Sequence, residues 1–194
     1  MNPLNTVNGT ITGGIVLAVL LGLITSGIML NAASLLVWIH VLAGITWIGL
    51  LYYFNFVQVP ALAEAAADAS GPGGAGITKY VAPRALWWFR WGALVTWLSG
   101  AAYLMHLGIL GDAFMLSGGA FTIGVGAWLG TIMLFNVWAL IWPNQKKILG
   151  IVEASTEEIA KARKVAFLAS RTNTLLSIPM LMSMVGFGHG GFII

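Results

Sequence analysis

The chain has 194 residues, 59% of them hydrophobic, with nine Lys and Arg against six Asp and Glu. Soluble domains carry about 25% charged residues, and the 8% found here cannot furnish a solvated shell. The lack of Cys excludes disulfides, iron–sulfur clusters, thiolate metal sites and covalently attached haem c, and a net charge of +3 is too small to argue for nucleic acid.

A mean hydropathy of +0.91, with 25 Gly and nine Trp, points to an all-α polytopic membrane protein. Gly is more frequent in membrane helices than in soluble ones. Five apolar stretches meet the length needed to cross a bilayer, residues 11–30, 34–57, 87–110, 119–142 and 174–194. Residues 1–194 therefore read as one domain, a bundle of about five transmembrane helices.

The first stretch has no Lys or Arg before it, and its apolar run exceeds the roughly 7–15 residues of a signal-peptide core. It reads as a true span. Only Asn31-Ala32-Ala33 separates it from the second, which predicts an antiparallel hairpin. Within the 58–86 loop, residues 61–76 turn from Ala-rich to Gly/Pro-rich, the pattern of a flexible turn. Within the 143–173 loop, Ser155-Thr156-Glu157-Glu158 fits a helix-capping box. Ile159, Ala162, Ala166 and Ala169 follow at helical spacing beside Lys161, Arg163 and Lys164. That combination predicts a cytoplasmic helix lying on anionic headgroups.

Sidedness follows from the cations. Five spans put the N-terminus and both long loops on one face, and all nine Lys and Arg fall there. The opposite face shows a single charge, Asp112. Trp87, Trp88, Trp91, Trp138 and Trp142 mark the basic boundary like an interfacial belt. The positive-inside rule makes the N-terminus cytoplasmic and the C-terminus external.

Chemistry then has few candidate residues. His40 lies six residues into the second span, His106 four from the end of the third, and His189 five from the end of the fifth. At the α-helical rise these depths are roughly 9, 6 and 7–8 Å, one layer near the outer face. Imidazoles on facing helices can ligate a non-covalent haem b. Gly44 and Gly100, each about a turn from a His, would give a macrocycle room, or serve helix contact. A tri-histidine copper or zinc site on His40, His106 and His189 is the rival. No Asp or Glu lies inside a span, which argues against a hydrolytic metal centre and an ion-coupled pump. Asn55, Asn136 and Thr96 read as interhelical hydrogen bonds, and Met180, Met182 and Met184 with Pro179 as a packed, kinked helix.

Four blocks resemble a known family. Leu36-Val37-Trp38-Ile39-His40-Val41-Leu42-Ala43-Gly44-Ile45-Thr46-Trp47-Ile48-Gly49 is similar to the R-W-x-H-x-x-A-x-x-W-I-G pattern of the membrane domain of bacterial cytochrome-c-linked urate oxidase. Residues 88–100 resemble its W-F-K-W-E-A-x-x-T-W-L-S-G segment, and residues 136–147 its N-V-x-x-x-I-x-P-N-Q-x-K stretch. The run from Arg171 through Pro179 to His189 parallels its final span, and a looser resemblance joins the chain to the membrane protoporphyrinogen oxidase type. On matching positions His40 and His189 carry over, while His106 has no clear counterpart. Gly92 stands where the family segment has Glu. The resemblance implies a short form without the cytochrome c domain, in a bacterial inner (plasma) membrane, with its C-terminus periplasmic.

The reading that follows is a membrane-embedded haem b-binding electron-transfer protein or redox-complex subunit. A reduced partner or quinol would supply electrons, and a periplasmic cytochrome c or larger redox complex would accept them. Two alternatives remain, a cofactor-free structural or assembly subunit and a small-substrate, urate-like oxidoreductase.

Overall fold

The computed structural model describes residues 2–26 and 31–192, and these contain helix and turn but no strand. The chain forms two compact units, Met1–Leu35 and Leu36–Ile194. In the first, a 3-10 turn at Pro3–Asn5 is capped by Asn2, whose side chain accepts from Leu4 N at 2.9 Å. Helix α1 (Val7–Ser26) follows. The ends of the first and fifth expected spans, residues 27–30 and 193–194, lie outside the described residues.

The remaining helices are α2 (Ala32–Tyr52), α3 (Val59–Ala67), α4 (Ala82–His106), α5 (Leu110–Phe114), α6 (Phe121–Phe135), α7 (Trp142–Ile148) and α8 (Thr156–Gly188). Among the described residues, three helical stretches are long and apolar enough to cross a membrane, Val7–Thr25, Ala32–Ala67 and Gly118–Ile148. The last two, of 36 and 31 residues, outrun the apolar stretches that predict them. At the α-helical rise they reach about 54 and 46 Å, against a hydrocarbon core of about 30 Å. Both helices continue past the ends of those stretches through Pro60 and Pro143.

Their length depends on wider turns that absorb prolines. π-Helical segments at Tyr53–Gln58, Ile77–Val81 and Asn136–Ile141 precede Pro60, Pro83 and Pro143. In each, the residue before the proline bonds five residues back: Val59 to Phe54 O, Ala82 to Ile77 O and Trp142 to Val137 O. A proline lacks an N–H and crowds the carbonyl four residues earlier. Widening the turn lets the ladder pass that carbonyl without breaking.

Helix α8 corrects two expectations at once. It runs unbroken for 33 residues, about 50 Å, so the expected headgroup-lying helix and the fifth span are one element. Ala162, Ala166 and Ala169 are buried within the bundle instead of facing headgroups. The capping box is present: Ser155 Oγ accepts from Glu158 N at 3.2 Å and Glu158 Oε2 from Ser155 N at 2.9 Å. Flexible-turn character is confined to residues 68–74, because the Ala-rich half of the 61–76 stretch continues as helix.

Packing rests on small residues. A Cβ on Gly92 of α4 would stand 3.4 Å from Trp47 N and 3.5 Å from Ala43 O, so α2 and α4 approach backbone to backbone. On α6, a Cβ on Gly126 would meet Ser183 Oγ of α8 at 2.7 Å. Close approach of this kind replaces the hydrophobic driving force that lipid removes. Trp47, Leu51, Phe89, Met133 and Val137 fill the main core, and Leu104, Ala113, Ala120 and Ile123 fill a smaller one near the C-terminal end of α4.

Candidate functional site

The three histidines are placed very differently. His40, on α2, is half-buried, and its Nδ1 lies 2.8 Å from the Thr96 carbonyl of α4. A carbonyl only accepts, so Nδ1 carries the proton. Nε2 is then left with its lone pair free. Metal-binding histidines are oriented in this way, with one nitrogen donating to a carbonyl and the other ligating.

The neighbours reinforce the placement. Thr96 Oγ1 donates to Gly92 O at 2.7 Å, so its side chain stays within its own helix and does not bridge helices as the sequence predicts. What bridges is its carbonyl, which also accepts from Ser99 Oγ at 3.1 Å. A Cβ on Gly100 would stand 2.8 Å from His40 Cε1 and 2.9 Å from Nδ1. Gly100 therefore makes room for the His40 ring, not for a group beside His106. Gly44 faces Thr96 Cγ2, at 3.7 Å from where its Cβ would be. Its space lies in the α2–α4 contact.

His106 and His189 are exposed. His106 ends α4, six residues beyond Gly100, or about 9 Å of helix rise. His189 caps α8, and its Nδ1 lies 2.8 Å from Val185 O, the same donor arrangement as in His40. It opens a turn through Gly190 (φ +93°) and Gly191 (φ +112°), a backbone that glycine allows. Among the described residues no three of His, Cys, Asp and Glu come together as a metal-binding group, so the three imidazoles form no common centre.

A second polar assembly lies where the π turns meet α8. Asn55 donates to Ser170 Oγ at 2.8 Å, and Asn136 to Asn173 Oδ1 at 2.8 Å, both between helices as the sequence predicts. Asn173 Nδ2 donates to Met133 O at 3.0 Å, and Tyr52 and Ser177 hydroxyls pair at 2.9 Å. Sequence reasoning missed Asn173, Ser170, Ser177 and Tyr52. Their signal is a polar stripe at 170, 173 and 177, at helical spacing on an otherwise apolar face. These neutral groups satisfy one another and hold α8 against α2 and α6.

Comparison with known proteins adds one finding. Residues 109–192 match the family model described as urate oxidase N-terminal. That stretch contains α5 to α8 and His189, while His40 and His106 precede it. No curated protein and no solved structure matches the chain.

Proposed function

We propose that the chain, which matches the urate oxidase N-terminal family model over residues 109–192, is a five-span module of a bacterial inner membrane that binds haem b non-covalently and carries electrons. The spans would be α1, α2 with its extension, α4, α6 with α7, and the C-terminal part of α8. Clustering of the cations supports a cytoplasmic N-terminus and a periplasmic C-terminus.

One observation carries the cofactor reading: the His40 ring, seated on Gly100 and tied through Nδ1 to Thr96 O, keeps Nε2 unprotonated. A neutral, oriented imidazole is the form that iron requires. The protein's part is to fix that ring between two helices. Thr96, Ser99 and Gly92 hold the carbonyl, and Gly100 leaves the ring its place. Bound haem would supply one-electron chemistry. His189, with the same tautomer preference, is the favoured partner ligand. His106, with no side-chain hydrogen bond among the described residues to orient it, is the weaker one. A periplasmic cytochrome c or larger redox complex is the proposed electron acceptor.

The cofactor-free structural or assembly subunit is the second reading. It is favoured by the helix-to-helix contacts that occupy the space beside Gly44 and Gly100. Urate-like oxidoreductase activity rests on the family match alone. Absorption spectra of the purified chain, produced with ample haem, test the leading reading. An oxidised Soret band and a b-type α band on dithionite reduction support it, and their absence leaves the structural subunit.

A further inference from the structure

We propose that two adjoining hollows at the start of α4 bind the headgroup of an anionic phospholipid, with Arg84 and Lys79 as the cations that hold its phosphate. The first hollow is lined by Pro83, Arg84, Trp87 and Trp88. The second contains Thr78, Lys79 and Leu149 and shares Pro83 with the first. They lie side by side on the π turn and the first turns of α4.

Neither hollow is lined by an Asp or Glu. Arg84 Nη1 donates to Tyr80 O at 2.6 Å, which tethers the guanidinium and leaves its other N–H groups for an outside acceptor. Lys79 Nζ stands 5.4 Å from the Tyr80 ring centroid. Among the described residues the ion pair formed is Lys147–Glu158, at 3.2 Å, so both Arg84 and Lys79 lack a carboxylate. Trp87 and Trp88 are exposed, with their rings edge to face at 5.1 Å. Exposed indoles favour the headgroup level, with the ring in the acyl region and the N–H towards polar groups. An anionic phosphodiester answers both features: it brings the missing negative charge, and its chains lie along the indoles. The inference rests on the membrane-spanning reading and is independent of haem.

The full-length chain in mild detergent, titrated with phosphatidylglycerol or phosphatidylcholine and followed by native mass spectrometry, tests it. Phosphatidylglycerol should be retained in preference. Lys79→Gln with Arg84→Gln should weaken that retention about 30-fold, the effect of losing two interfacial cations, and leave phosphatidylcholine unaffected. The charge-conserving pair Lys79→Arg and Arg84→Lys should retain the lipid, as should Lys161→Gln with Lys164→Gln on α8. Equal retention by the Gln pair overturns the proposal, as does equal loss in the α8 pair or displacement by millimolar inorganic phosphate. Failure of the membrane-spanning reading would be seen separately, as release of the chain from membranes by alkaline carbonate.

Discussion

The imidazole of His40 lies against Gly100 so closely that a methyl group on the glycine would stand 2.8 Å from Cε1. The α2–α4 contact is therefore built around a ring. Gly100→Ala should push His40 off Thr96 O and destabilise the chain by about 1–3 kcal/mol, the usual cost of overpacking. Gly44→Ala, where the new methyl meets Thr96 Cγ2 at 3.7 Å, should change stability by less than about 0.5 kcal/mol. Thermal unfolding of the two variants in one detergent compares them directly.

The α6–α8 seam gives a second contrast. Asn173 is fully buried and bonded on both sides, so Asn173→Leu strands the Asn136 amide. Its cost should be about 1–3 kcal/mol. Gln58 Oε1 is buried with no partner among the described residues, so Gln58→Leu should be neutral or stabilising. Denaturant titration of both variants checks the sign of each change.

Acid should loosen the start of α8 first. Glu158 accepts from Ser155 N and from Lys147 Nζ at 3.2 Å, and these bonds hold its carboxyl below the usual glutamate range. A depressed folded-state pKa gives stabilisation that is fully present above the unfolded value. It is lost as pH falls through the folded one. Amide protection factors in the first turn of α8, taken relative to the slower intrinsic exchange in acid, should therefore fall on acidification below about pH 4.3. Ser155→Ala should produce the same loosening at neutral pH.

The chain has no Cys, so single cysteines report topology without a background. Ser70→Cys and Val152→Cys should be labelled by an impermeant maleimide only when the cytoplasmic face is opened. Ser117→Cys should be labelled from outside in intact cells. Labelling of all three from one side would contradict the five-span arrangement.

Much of this architecture is written in local composition. The apolar runs mark the helices, and Ser155 with Glu158 marks the start of α8 by a hydrogen-bond pattern fixed over four residues. The π turns were not legible as such, although Pro60, Pro83 and Pro143 each signal that the ladder before them must adjust. His40 could be picked out as a residue but not given its partner, because a main-chain carbonyl such as Thr96 O leaves no trace in residue type. The row Gly92, Thr96 and Gly100, small residues four apart on α4, was the available sign that another helix comes close there.

The most direct measurement compares haem content and the reduced α band in His40→Ala, His106→Ala and the parent chain, all produced with ample haem. The account predicts that His40→Ala loses the haem or shifts its spin state, while His106→Ala keeps the parental spectrum. An unaltered spectrum in His40→Ala would contradict it.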